Sequence, residues 1–170
     1  MAGRSDQTYD PTLPYQAVMR DLIGERWGAV WRAVPVAIEG SDPAGVHDVR
    51  VASRRLRAAM DVAETCFPAS WYRSLHQLAK QITSELGAVR DRDVLLEHLN
   101  RAREAAPPGD HPGIDRLIER VTREREAARA QMLAFLRRVM NGPLPAETVR
   151  RFGRSAMPPW EIAHDRKETP

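Results

Sequence analysis

Residues 43–65 have two opposite faces when they are placed on an α-helix, and this limits how the chain can fold. With His47 set at 0° and about 100° added per residue, three arginines of the segment VHDVRVASRRLR lie within an arc of about 80° that includes the histidine: Arg50, Arg54 and Arg57. Arg55 points elsewhere, and the apolar Val49 and Leu56 lie on the opposite side. Like charges at i,i+4 repel by a few tenths of a kcal/mol per pair. The segment therefore predicts a helix with one face for a core and one face for an anion.

Apolar residues recur at helical spacing in four segments, which are separated by short breaks rich in proline and glycine. The segments cover about residues 15–39, 43–65, 70–105 and 113–140. Pro35 is expected to kink the first helix or to end it early, and Leu117 is expected to face inward on the fourth. No segment has a strand pattern. The sequence predicts an all-α fold, an antiparallel four-helix bundle.

The same pattern divides the chain into three parts. Residues 1–13 are polar and predict a flexible N-terminal lead, and residues 14–141 form the four-helix unit. Residues 142–170 form a proline-rich tail that allows one short helix near residues 146–152.

Arginine dominates the basic side chains, although the net charge is only +3. Of the 26 lysines and arginines, only Lys80 and Lys167 are lysines, so 24 are arginines. Arginine binds phosphate through a planar fork and stays charged. A genomic preference for arginine codons would explain the total but not the clustering.

The sequence also indicates the cellular compartment in which we expect the protein. Cys66 is the single cysteine, so no intrachain disulfide forms and a reducing cytoplasm fits. The N-terminus shows no signal peptide, and no run approaches the roughly 18 apolar residues of a membrane span. We expect a cytoplasmic protein without a membrane partner.

The third predicted helix carries basic residues that match those of the second. Lys80 and Arg90 lie within about 80° of each other and about 15 Å apart along the helix axis. Asp91 and Asp93 alternate with arginines, and these carboxylates are expected to orient them. If the two helices face one groove, they form one positive channel of His47, Arg50, Arg54, Arg57, Lys80 and Arg90.

Two separated stretches, VHDVRVASRRLRAAMDV and LAKQITSELGAVRDRDVLLEHL, closely resemble the CHAD family, the conserved-histidine α-helical domain. The match is strongest over about residues 46–99, and the helical layout from 15 to 140 agrees more weakly. The residues at matching places are His47, Arg50, Arg54, Arg55, Arg57, Lys80, Arg90, Asp91 and Asp93.

The resemblance implies a helical protein that binds inorganic polyphosphate in a basic pocket without catalysis, and association with polyphosphate granules. Family members usually contain two four-helix units, whereas this sequence shows one. Either one unit binds weakly, or two chains pair as a homodimer that rebuilds the double unit. Arg125 and Arg129 are secondary candidates for the same surface, and a solvated face is the alternative interpretation of these two residues.

Other functions are weaker interpretations of the same residues. The scattered histidines show no metal-binding spacing, and Asp91 and Asp93 fall on different helix faces, so we predict no metal, no cofactor and no catalytic residue, and a metal-dependent phosphohydrolase is a weaker alternative. Nucleic acid would use the same arginines but gain from stacking aromatics, which the predicted groove lacks. A third alternative is a helical module whose arginines pair with acidic partner proteins. A bound anion favours protonated His47, so polyphosphate binding should strengthen somewhat below about pH 6.5.

Overall fold

The computed structural model describes residues 14–40 and 44–161, and within these ranges every regular element is helical. The predicted all-α class is confirmed. The α-helices are α1 (Tyr15–Glu39), α2 (Ala44–Val62), α3 (Ala69–Ala105), α4 (His111–Asn141) and α5 (Leu144–Phe152). Single 3₁₀ turns cover Glu64–Cys66, Pro108–Asp110 and Arg154–Ala156.

The first two helices correct the sequence prediction in detail. α1 contains Pro35 and continues to Glu39, so an early end at the proline is wrong. A proline removes one hydrogen bond to the carbonyl four residues back, but the buried Val34 and Ala37 on either side hold the last turn against the core. α2 ends at Val62, before the expected residue 65. The predicted lead, residues 1–13, lies outside the described residues.

The core lies where α1 to α4 meet, and each of these helices packs against the next along the chain. Trp27 and Trp31 are fully buried and stack with ring centroids 5.3 Å apart. The Trp31 indole Nε1 donates to Thr148 Oγ1 at 3.2 Å, and the buried Tyr72 hydroxyl donates to the Met60 carbonyl at 2.8 Å. These buried polar groups are therefore satisfied across elements distant in sequence.

α3 and α4 form a long arm beyond the ends of α1 and α2. Arg92 lies beside Glu124 and Arg103 beside Asp115, so the two helices run in opposite directions. The expectation that Leu117 faces inward is wrong, since 42% of it is exposed. It lies twelve residues, about 18 Å of helix, before the part of α4 that meets the end of α1. We call residues 91–125 the arm.

The segment after Gly142 belongs to the fold. α5 and the following 3₁₀ turn pack on α1, where Gly24 and Gly28 leave room for them. A Cβ on Gly28 would collide with the Ser155 carbonyl oxygen. Part of the predicted tail therefore covers the tryptophans of α1, while residues 162–170 lie outside the described ranges.

Candidate functional site

The second helix presents its basic residues on the side that faces away from the core. Val49 and Leu56 are fully buried on the inner side, while His47 and Arg54 are exposed and Arg50 is half-buried. The Arg50 guanidinium lies over α3: its Nη1 is 3.6 Å from the position that a Cβ on Gly87 would occupy. The arginines of α2 and the basic residues of α3 therefore border the same helix–helix junction.

Two buried hydroxyl groups lie in this junction. Ser53 is fully buried and Thr83 nearly so. Thr83 Oγ1 lies 3.1 Å from Ser53 Oγ, which donates to the Arg50 carbonyl at 3.0 Å. The pair joins α2 to α3 through neutral groups beneath the basic residues.

Arg57 adds an unsatisfied donor to the same face. It is half-buried, and its Nε is buried with no hydrogen-bond partner in the described part of the chain. A buried N–H without a partner costs roughly 1–3 kcal/mol, and more when the group is charged. An anion that reached this atom would recover that cost.

The third helix supplies the opposite wall. Lys80 is exposed and Arg90 is half-buried, with Thr83 and Gly87 between them on the same helix face. We call His47, Arg50, Arg54, Arg57, Lys80 and Arg90 the basic face.

Arg90 also lines a cleft of about 630 Å³ at the base of the arm. Val46, the neighbour of His47, lines it too, so the cleft continues the basic face at the start of α2. Both secondary candidates, Arg125 and Arg129, lie in this cleft. The structure thus brings Arg90 together with the two arginines of α4.

These two arginines are held differently. Arg125 Nε donates to Asp93 Oδ1 at 2.6 Å and Nη1 to Glu126 at 2.6 Å, and the bond to Asp93 raises the pKa of the guanidinium. Arg129 packs its guanidinium against Gly40, the residue that ends α1 with a φ of 74°. Asp93 therefore orients Arg125, whereas Asp91 is exposed and has no ion-pair partner among the described residues.

Arg55 lies apart from the basic face. It shares a shallow hollow with Arg54, and it also borders a second hollow beside Arg26 and Asp48 on the side of α1. Its direction agrees with the helical spacing, which sets it about 80° from His47.

Within residues 14–40 and 44–161, none of the six side chains of the basic face forms an ion pair with a carboxylate. Six unpaired cationic or protonatable groups on two adjacent helices form a surface that suits an extended anion.

Sequence reasoning missed the small and hydroxyl residues of the junction as parts of the site. Residues 80, 83, 87 and 90 follow one another at spacings of three, four and three, which places them on one helix face. That spacing was a signal for Thr83 and Gly87. Ser53 gave a similar signal, because it lies three residues after Arg50 and four before Arg57.

The described residues were also compared with the requirements of a metal site and of a membrane-spanning helix. No group of three or more histidine, cysteine or acidic side chains is arranged to hold a metal ion. Among the described helices, none has the length and apolar character needed to cross a bilayer.

Comparison with known proteins identifies one family. A family model described as CHAD domain matches residues 21–166, which is nearly the whole chain and extends past the predicted boundary at residue 141. CHAD domains are associated with polyphosphate. No curated protein matches the chain, and no solved structure does.

Proposed function

Because the chain belongs to the CHAD family, we propose that it binds inorganic polyphosphate along the basic face. The observation that carries the proposal is the absence of ion-pair partners for these cations in the described structure. Polyphosphate carries about one charge per phosphate, and each contact with a cation releases counterions, as on nucleic acids. A row of cations at helical pitch lets one chain make several contacts.

The dimensions of the face favour an extended anion over a small one. Lys80 and Arg90 are about 15 Å apart along α3, and Arg50 and Arg57 about 10 Å apart along α2. A single phosphate reaches one or two of these groups, whereas a chain reaches all of them. The cleft with Arg90, Arg125 and Arg129 extends the same path.

Replacement of Arg50 and Arg54 by alanine tests the proposal. We expect the double variant to lose about 100-fold or more in affinity for long-chain polyphosphate, because a hydrogen bond to a charged group contributes about 1.5–3 kcal/mol. The slope of log affinity against log salt should fall by about one for each lost contact. Circular dichroism should show unchanged helicity, since both side chains point away from the core.

A matched control removes two arginines elsewhere. Arg101 and Arg120 are exposed and each pairs with a glutamate four residues away. The double alanine variant at these positions has the same charge as the test variant, and its affinity should stay within about twofold of wild type. Equal losses in both variants would overturn the proposed site.

Competition separates polyphosphate from nucleic acid. Trp27 and Trp31 are buried, and Trp71 packs against Arg151 away from the basic face, so these rings do not offer a stacking surface beside it. Polyphosphate should displace DNA of matched total charge, and DNA should fail to displace polyphosphate. The reverse order would favour a nucleic-acid binding module.

We propose that the four long helices, α1 to α4, form an antiparallel bundle.

We also propose that polyphosphate binds without being hydrolysed. The basic face holds cations and neutral hydroxyls, and Asp93, which lines the cleft together with Arg90, is engaged by Arg125. Incubation with polyphosphate and Mg²⁺ should release no orthophosphate above a blank. Release that the Asp93→Asn variant abolishes would contradict the proposal.

We further propose that two copies of the protein pair as a homodimer, so that two basic faces bind one polyphosphate chain. We also propose that the protein associates with polyphosphate granules. Two linked faces raise avidity without any new contact. Light scattering should give twice the monomer mass with long polyphosphate. A fluorescent fusion should mark granules, and the Arg50→Ala, Arg54→Ala fusion should not.

A further inference from the structure

A second basic cavity of about 430 Å³ lies where α1 and α3 begin and α5 ends. Three arginines and two aromatic rings line it, together with parts of the first turn of α1. These side chains are Arg20, Arg150, Arg151, Phe67 and Trp71. No residue of the basic face contributes to this cavity, so it is a separate site.

Arg151 is fixed in its position within this cavity. Its Cζ lies 4.6 Å from the centroid of the Trp71 ring, and its Nε donates to Glu147 Oε1 at 2.8 Å. The guanidinium therefore stacks on the indole and presents a planar, charged surface beside the cavity.

The aromatic wall behind Arg151 is continuous. Phe67 and Trp71 lie with ring centroids 5.6 Å apart, and Trp71 meets Phe152 at 5.9 Å. The Gln16 amide Nε2 donates to the Cys66 carbonyl at 2.6 Å, which ties the start of α1 to the turn before α3. The cavity is thus held by contacts among three separate segments.

The remaining arginines keep donors for a ligand. Arg20 and Arg150 are 57% and 68% exposed. Glu147 accepts one bond each from Arg150 and Arg151, and these bonds lower the pKa of its carboxyl group. Asp21 lies 3.8 Å from Arg20. Each guanidinium has five N–H donors, so a single carboxylate leaves most of them available to phosphate.

We propose that this cavity binds a nucleoside phosphate, with the base against the Arg151–Trp71 stack and the phosphates between Arg20 and Arg150. Flat aromatic and guanidinium surfaces stack bases, and arginine forks bind phosphate oxygens. The volume lies in the usual range of roughly 300–1,000 Å³ for small-ligand sites. A phosphate chain alone would not use the rings, and a base alone would not use the forks.

Titration calorimetry of the full chain tests the proposal with adenosine triphosphate, inorganic triphosphate and adenosine as separate probes. We expect the nucleotide to bind at least about tenfold more tightly than either part. The Arg20→Ala, Arg150→Ala variant should lose at least about tenfold. The Arg101→Ala, Arg120→Ala variant, matched in charge and exposure, should stay within about twofold.

Two further variants separate this site from others. Arg151→Lys keeps the charge and removes the plane, so it should weaken the nucleotide several-fold and leave inorganic triphosphate unchanged. The Arg50→Ala, Arg54→Ala variant should leave nucleotide binding unchanged, whether or not it loses polyphosphate binding. Loss of nucleotide binding in this variant would overturn the proposal, and so would a lack of binding at millimolar nucleotide. Binding of single-stranded oligonucleotides without binding of the mononucleotide would also overturn it.

Discussion

The basic face and the arm use the same residue type in opposite ways. In the arm, Arg103 pairs with Asp115, and Arg125 is held by Asp93 and Glu126. On the basic face, no cation pairs with a carboxylate of the described residues. The number of arginines therefore says little about charge available to a ligand, because the positions of the acids decide it.

The sequence explains this difference. Between Asp48 and Asp61, α2 carries four arginines and no acidic residue. After Arg90 acids and bases are interspersed along α3, and the same holds for the facing part of α4. Pairs across the two helices then neutralise the arm and leave the face of α2 and α3 positive.

A carboxylate placed on the basic face should convert it into a paired region like the arm. In Gly87→Glu the new side chain starts 3.6 Å from Arg50 Nη1 and pairs with it. We expect polyphosphate affinity to fall about 10- to 100-fold, because one cation is neutralised and a negative charge is added. Fluorescence anisotropy with labelled polyphosphate measures the loss.

Gly87→Ala is the control for this change. Its Cβ makes an ordinary contact with Arg50, so affinity should stay within about twofold of wild type. Replacing a glycine inside a helix should raise the free energy of unfolding by about 0.5–1 kcal/mol. An equal loss of affinity in both variants would show that shape rather than charge matters at this position.

The reverse change should make a paired arginine more available. Asp93→Asn removes the charge that engages Arg125 Nε in the cleft at the base of the arm, while Nη1 keeps its bond to Glu126. We expect polyphosphate affinity to rise about three- to tenfold, since one negative charge leaves the cleft and the released donor of Arg125 can bind the same ligand as Arg90.

Asp115→Asn provides the comparison for this gain. It removes one negative charge that pairs with Arg103 outside the cleft. If both variants raise affinity equally, the gain is a general effect of net charge, and Arg125 does not take part in binding.

Helical periodicity was sufficient to predict the class and the positions of the four long helices. The stripes of Val49 and Leu56 against Arg50 and Arg54 follow directly from 3.6 residues per turn. Burial of the inner stripe and the outward direction of the arginines are local properties, so the sequence alone determined them.

Contacts between helices could not be predicted from the sequence. The passage of Arg50 over Gly87 depends on how closely α2 approaches α3, and the approach of Ser155 to Gly28 depends on where α5 docks. The exposure of Leu117 depends on where α1 and α2 end relative to the arm. Periodicity fixes a direction around one helix but not the neighbour that lies there.

His47 should contribute modestly to polyphosphate binding, whereas His98, an exposed histidine on the arm, should not. The His47 side chain lies on the same face of α2 as the arginines and can donate a hydrogen bond to a phosphate oxygen, so His47→Ala should lower affinity about two- to threefold. His98→Ala should bind like wild type in the same anisotropy assay. An equal loss in both variants would remove His47 from the basic face.

The Arg103–Asp115 pair of the arm should affect stability rather than binding, and this is the smallest effect. The bond from Arg103 lowers the pKa of the Asp115 carboxyl, so its stabilisation is present above the ordinary carboxyl range and is lost as the pH falls through the lowered pKa. Asp115→Asn should therefore lower the melting temperature at pH 7 by at most about 2–3 °C, and the difference should shrink as the pH falls below the ordinary carboxyl range. Asp91→Asn, an exposed change at a residue without an ion-pair partner in the described structure, should match wild type throughout. A gap that does not shrink on acidification would mean that the asparagine disturbs packing and that Arg103 is not held by charge.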